Sequence, residues 1–558
     1  MIVRKTSSLE LLIVVAISVF LFFYGSGNFG LVGADEPRYA QIAREMLERH
    51  DFVSPTLNGE PWLEKPVLYY WLGMASFKIF GVTDTAARIP SAALALGMVL
   101  AIFFYMRRFR PGTQLDAGII TASCAVVFAF SRGASTDMPL TASFSVAMLV
   151  WYVWYQTGRN IWLLTFYFFL GLATLAKGPV APFLGGLIVL VFSVLRRDIK
   201  TSLRTLWLPG VLLYLAVVLP WFVAVQMRDP QFLYVFILEH NLARFGSNMF
   251  HHKQPLWYYI PVFILAVAPW TFFAIAALVD ALKWSVRSWR IRLSEDGNVT
   301  RAATTDGFAE FLVLWTLLPI LFFSLSQSKL PGYILPSIPP CAILTADYLG
   351  RRRGQPLSAL LVAGHCGLLA ILLAFILAFP SVFIQHVAMP HAAGYTAGLL
   401  SLIVFSSSYY ALRKTGAPVL RLVTLAPVIF MVGFILKVAA PSIDDYYSAR
   451  PVAIEVGKGT GQSAAVAVYE VKRELRYGLS FYRNQNIANY DDNEIPRDAH
   501  ILIAKAGSLA AVSFKLKNRK MVRMGSFPSQ RLEYFLVSAA DSAKPKAAAS
   551  LPAGPGTN

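Results

Sequence analysis

Asp35 and Glu36 stand in the stretch GADEPRY, directly after an apolar run. They open the densest charge cluster of the chain, which continues through Arg38, Arg44, Glu45, Glu48 and Arg49 to Glu64 and Lys65 in GEPWLEKP. Asp137 begins a further apolar run in STDMP, and Glu239 adjoins His240 in LEHNLARF. Lys65, Lys177 (in AKGP) and Lys329 (in SKLPGY) each lie at the mouth of an apolar span, beside a turn residue. A charge at the centre of a membrane helix costs about 2.5–3.5 kcal/mol, and less near the interface. Such lysines can simply snorkel to the headgroups. Several of them converging on one outer pocket would instead bind a lipid-linked phosphate or diphosphate. Carboxylates near a membrane surface are repelled by its anionic lipids, so they point to metal binding, acid–base work or a cationic substrate. Plainer roles stand beside these. Asp137 has the position of a helix N-cap. Arg44 with Glu48, and Glu45 with Arg49, have the i,i+4 spacing of a solvated surface helix.

The elements that must position these residues follow from composition. Of 558 residues, 56% are hydrophobic and 15% charged, whereas a soluble domain carries about 25% charged residues. The chain therefore reads as an all-α polytopic membrane protein. Its formal charge of +19 falls in short basic clusters between apolar runs, a pattern of topology control rather than of a nucleic-acid surface. Cys124, Cys341 and Cys366 lie in apolar stretches without paired spacing and read as packing residues. The run after Arg4 and Lys5 reads as an uncleaved first span rather than a signal peptide, because no small-x-small cleavage site follows it.

Hydropathy gives about thirteen transmembrane helices, the later ones centred near Ala93, Ala125, Ala147, Tyr167, Leu187, Leu215, Ile264, Leu317, Ile343, Leu369, Leu402 and Val428. The basic clusters at 107–110, 158–160, 196–200, 283–292, 351–353 and 413–414 fall in alternate loops. Arginine and lysine favour the cytoplasmic side, so residues 29–66 and everything after the last span belong outside. Residues 1–440 form the transmembrane part with its outer loops. Residues 441–540 turn mixed in polarity, with strand-like runs at 464–470, 500–506 and 532–539 and a helix at 473–484, and read as a small extracytoplasmic α/β domain. Residues 541–558 have the composition of a disordered tail.

The first-loop acids just after the first span, the many spans and the outer C-terminal domain together resemble the integral-membrane GT-C glycosyltransferases, which use polyprenyl-phosphate sugars. The motifs ADEPRYAQIAREML, GEPWLEKPVLYYW, STDMP, AKGP, EHNLARF, PLWYYIPV and SKLPGYILPSIPP occur in this order between about residues 31 and 340. They resemble most closely the bacterial branch that attaches aminoarabinose to lipid A. The resemblance implies that Asp35 is the essential first-loop acid and Asp137 a second acid near the reaction centre. It implies that Lys65, Arg244 and Tyr333 contact the donor phosphate. It implies that Glu64 and His240 bind a divalent metal, zinc in the relative, whose shell water or phosphate would complete. The expected activity is transfer of a sugar, 4-amino-4-deoxy-L-arabinose, from undecaprenyl phosphate to lipid A at the periplasmic face of the bacterial inner membrane, with no nucleic-acid partner. The alternative in the same chemistry is transfer of a neutral sugar such as mannose to protein or another envelope glycan. A transporter of lipid-linked sugar is the alternative of another class; it would place polar groups near the midplane, with internal repeats, and neither is evident in the sequence.

Overall fold

The computed structural model describes residues 2–243, 254–293, 307–461, 463–516 and 519–540, with backbone alone at 2–7, 239–243, 291–293 and 459–460. Each of the thirteen expected centres falls on a helix. Eight helices among the described residues are long and apolar enough to cross a membrane, or up to ten if two sharply bent pairs each make one span. Two shorter apolar helices, Ser8–Phe23 and Val180–Leu195, accompany them. The count on this criterion therefore falls short of thirteen. The apolar run around Ile343 shows why. Its first part, Pro331–Ser337, is wound as a tight 3-10 segment interrupted by Pro336, leaving only the 14 residues of Ile338–Arg351 as α-helix. Proline lacks the amide donor that a continuous helix needs.

Asp137–Thr157 is the most enclosed of the long apolar helices, with 83% of its apolar window buried, against 17% for His391–Thr415. It turns back into Asn160–Lys177 through Gly158, whose φ of 65° is left-handed and favours glycine. At the end bearing the basic loops, acids hold the arginines in place. Asp116 accepts from Arg353 (2.8 Å) and Arg421 (2.5 Å), and Asp280 pairs with both Arg351 and Arg352 at 3.2 Å.

The C-terminal part forms a five-stranded sheet of β3 (Val466–Tyr469), β4 (Ala488–Asn489), β5 (His500–Lys505), β6 (Met521–Phe527) and β7 (Leu532–Val537). A two-residue ladder, β1 (Thr56–Leu57) with β2 (Glu60–Pro61), lies in the first outer loop. The large sheet has the order β4-β3-β5-β7-β6, with β3 parallel to β4 and β5, and β7 antiparallel to β5 and β6. On one face Val452, Val456 and Leu479 of two helices pack on Ile501 and Ile503; on the other Val512 and Leu516 pack on Leu502 and Phe535.

Polar contacts fasten this sheet region to the first outer loop. Arg450 donates to Asp84 (2.9 Å), Asp444 (2.7 Å) and the Gly27 carbonyl (3.0 Å). The Tyr482 hydroxyl donates to Asp84 (2.6 Å) and accepts from the Leu31 amide (2.6 Å). Beneath this joint lies a buried ion pair. Arg88, 1% exposed, forks onto both oxygens of Glu36 at 2.9 and 2.7 Å and donates to the carbonyls of Ser26, Phe29 and Gly30. Removing one partner of a buried pair costs roughly 3–5 kcal/mol because the other charge is left unpaired. Arg88→Met is therefore expected to lower thermal stability in detergent by an amount of that order, whereas Asp35→Asn, altering a side chain 58% exposed, is expected to leave it nearly unchanged. Equal melting curves for Arg88→Met and the parent chain would contradict this role.

Candidate active site

The helix Asp35–Glu48 carries both first-loop acids at its N-terminus, where the helix dipole favours negative charge. Its adjacent residues diverge in role. Glu36 turns inward to Arg88 and also accepts the amides of Val32 and Ala134, each at 2.9 Å. Asp35 turns outward and pairs with Arg38 one helical turn on, at 2.5 Å. Arg38 is 9% exposed. Its guanidinium lies 4.9 Å from the Trp62 ring centroid, 5.0 Å from Tyr39, 5.9 Å from Tyr477 of the C-terminal region, and 4.0 Å from the Glu64 carboxylate. Arginine suits this place because its planar cation can stack on rings while its fork meets carboxylates.

The second half of the site is built at Asp137. The structure makes Thr136 the N-cap residue and gives Asp137 no capping bond. The Asp137 carboxylate instead pairs with the Lys177 ammonium, which lies 4.9 Å from the Tyr333 ring centroid. Lys177 thus reaches inward to a carboxylate and a ring. The loop carrying Tyr333 approaches closely because residue 332 is glycine. A Cβ there would lie 2.7 Å from the Phe130 ring and 3.0 Å from an Asp137 oxygen.

The two halves are tied together by the Glu36–Ala134 bond, since Ala134 is three residues before Asp137. Buried Tyr39 lies between them. Burial chiefly, then Asp35, raises its phenol well above the ordinary range; Asp137 and Glu64 push the same way and Arg38 opposes them. One phenol thus senses the acids of both halves.

The other expected residues divide. Lys65 donates to the Glu64 carbonyl at 3.2 Å. Lys329, 5% exposed, donates to the carbonyls of Ser326 (2.6 Å) and Gln254 (3.0 Å) and thereby fastens the loop before Tyr333. Arg44 and Glu48 pair at 2.9 Å as their spacing suggests. Arg49, however, donates to the backbone carbonyl of Glu45 (3.3 Å), whose carboxylate accepts from Thr56, Asn58 and Gly59 and shapes the first outer loop. Arg244 and the side chain of His240 lie outside the described residues. Among the described residues no three His, Cys, Asp or Glu side chains gather as a metal site. Glu64 is the one expected ligand they include, and it faces Arg38.

Comparison with known proteins places this geometry in a family. A family model described as dolichyl-phosphate-mannose-protein mannosyltransferase matches residues 64–223. The undecaprenyl phosphate-alpha-4-amino-4-deoxy-L-arabinose arabinosyl transferase of Pseudomonas paraeruginosa is 30% identical over 511 residues, covering 86% of this chain and 87% of that one. The chain belongs to this arabinosyl transferase family. The Yersinia enterocolitica member is 34% identical over 325 residues, an alignment that spans 56% of this chain and about half, 54%, of the relative. Among solved structures, ArnT from Cupriavidus metallidurans bound to undecaprenyl phosphate is similar in fold, with a TM-score of 0.73 at 20% identity over 96% of this chain and 99% of that one.

Within this arabinosyl transferase fold, Arg38 is the residue that sequence reasoning left outside the site, and for Lys177, expected as a phosphate-binding cation, it left out the partner, Asp137. The signal for Arg38 was its i+3 spacing from Asp35. The pairing of Lys177 with Asp137 carried no local signal, the two being 40 residues apart. Contacting charges act as a unit. Asp137→Asn and Lys177→Met are each expected to lower transfer about as much as the double variant does, in a membrane assay of sugar transfer. Strictly multiplicative losses would show the two acting separately.

Proposed function

We propose that this chain transfers 4-amino-4-deoxy-L-arabinose from undecaprenyl phosphate to lipid A at the periplasmic face of the inner membrane. The observation that carries the proposal is the joining of Asp35–Arg38 to Asp137–Lys177 through Glu36. This brings two carboxylate–cation pairs together, with the carboxylates of both acting on the buried Tyr39 phenol. The names of the relatives supply the donor, and the basic loops support the sidedness.

In such a transfer the bond between the anomeric carbon and a phosphate oxygen of the donor breaks. A bond from the same carbon to an acceptor oxygen forms, and undecaprenyl phosphate leaves. The leaving group needs no strong acid, because a phosphate monoester has its second pKa near 6. It needs neutralisation of its growing charge, which preorganised cations supply best in a site shielded from water. Lys65, Lys177, Tyr333 and Arg244 are assigned that task. The anomeric carbon gains positive, oxocarbenium-like character, which a nearby carboxylate stabilises. A lipid A phosphate is already ionised at neutral pH, so the acceptor needs little base catalysis. Asp35 then orients the acceptor and balances charge, with Arg38 holding its rotamer. Asp137 sets the position of the Lys177 ammonium and offers its second oxygen to the amino group of the sugar. Glu64 and His240 are the pair that would hold a divalent ion, which when bound would add to neutralisation of the phosphate.

Mass spectrometry of lipid A from cells with and without this chain tests the activity. An added aminopentose that depends on the chain is the expected result. Unmodified lipid A, with hexose appearing on protein or another glycan, would replace this reading with transfer of a neutral sugar. In membranes, Asp35→Asn and Lys65→Ala are each expected to lower turnover by about 10²-fold or more, and near-normal turnover in both would refute the site.

A further inference from the structure

Away from the site, the helices His391–Thr415 and Leu420–Phe434 form a hairpin joined by Gly416 and the short turn Ala417–Val419. A crevice of about 470 Å³ opens between the hairpin and the neighbouring helix Ala359–Ala378, a volume in the range of small-ligand sites. Ile403, Val404 and Ser407 line one wall, Leu422, Pro427 and Phe430 the other. The wall offers little to a polar ligand. The Ser407 hydroxyl donates back into its own helix, to the carbonyls of Ile403 (2.6 Å) and Val404 (3.4 Å). Leu422 is 70% exposed and Phe430 50% exposed, so the crevice is open on the side that faces the bilayer.

The lower end of the crevice is charged. Ala411 and Leu422 line it within two residues of Arg413 and one of Arg421. Arg413 and Lys414 are exposed and lie beside the turn of the hairpin. Arg413 donates to the Leu357 carbonyl at 3.3 Å, and the Lys414 ammonium lies 5.7 Å from the Tyr410 ring centroid. Arg421 and Arg353 share the carboxylate Asp116, and Glu10 also acts on Arg421. Among the described residues around the mouth the cations Arg353, Arg413, Lys414 and Arg421 therefore outnumber the acids Asp116 and Glu10, whereas the crevice above them is hydrocarbon-like.

We propose that this crevice binds one anionic phospholipid of the leaflet adjoining the basic loops. An acyl chain lies between the hairpin helices, and the phosphate headgroup rests against Arg413 and Lys414. Charge complementarity at the mouth selects an anionic over a zwitterionic lipid, because each basic residue at a membrane surface favours an acidic lipid by about fivefold. The proposal is independent of the sugar transferred, since the crevice shares no residue with the Asp35 and Asp137 cluster.

The test uses the purified full-length chain in detergent, with retained lipid counted by native mass spectrometry after exchange against phosphatidylglycerol, phosphatidylcholine or undecaprenyl phosphate. The parent chain is expected to retain one phosphatidylglycerol at least about tenfold better than phosphatidylcholine. The double substitution Arg413→Gln and Lys414→Gln is expected to bring the two lipids to similar retention. Ala426→Trp, which fills the crevice, is expected to lower both. Equal retention of the two phospholipids by the parent chain would overturn the proposal. So would a preference untouched by the Arg413→Gln and Lys414→Gln pair, or displacement of phosphatidylglycerol by undecaprenyl phosphate. The charge variants alter exposed side chains, so the selectivity readout stands even where Ala426→Trp impairs folding.

Discussion

Glu36 is the constraint on which the site depends. Its two oxygens receive the Arg88 fork and the amides of Val32 and Ala134. A buried carboxylate is tolerable only when such partners offset its desolvation. These partners come from three separate stretches of chain, so satisfying one side chain fixes the start of the first outer loop against two spans. Asp35, its neighbour in sequence, is turned outward as a consequence, and the turn leading to Asp137 is held within reach. The densest charge cluster of a hydrophobic chain thus turns adjacent residues to opposite sides, Glu36 inward to Arg88 and Asp35 outward to Arg38.

The second layer is electrostatic order. Asp35 with Arg38, and Asp137 with Lys177, hold each other in place before any ligand arrives. Aromatic rings set the lateral position of both cations, Trp62 for Arg38 and Tyr333 for Lys177. Charges fixed in this way need little reorganisation when a phosphate leaves, and this is where electrostatic catalysis is most effective. The C-terminal region takes part through Tyr477, and Arg450 and Tyr482 secure it to Asp84. The surroundings of Arg38 are therefore shaped by two parts of the chain that are far apart in sequence.

Much of this was legible beforehand. Apolar length located all thirteen helical centres, and strand-like runs in the mixed-polarity C-terminal part located β3, β5 and β7. The strand β6 was missed because Arg523 and Gly525 interrupt its pattern, at the point where the ladder shifts register. Motifs singled out Asp35, Asp137, Lys65, Tyr333 and Glu64 as expected site residues, and the structure shows the contacts they make. The long-range pairings could not be read, because Lys177 meets Asp137, and Ala134 meets Glu36, only through tertiary packing. The N-cap expectation for Asp137 failed for the same physical reason. A nearby ammonium offers a carboxylate more than a backbone amide does. Among the described residues, one expected span fails the length criterion because proline breaks its apolar run into a tight turn and a short helix.

The most direct test of the central claim is an experimental structure of the full chain with undecaprenyl phosphate bound. The account predicts the phosphate beside Lys65 and the Lys177–Tyr333 pair, with Asp35 and Asp137 opening onto the same ligand. A phosphate held elsewhere, with the two aspartates facing separate surroundings, would contradict it.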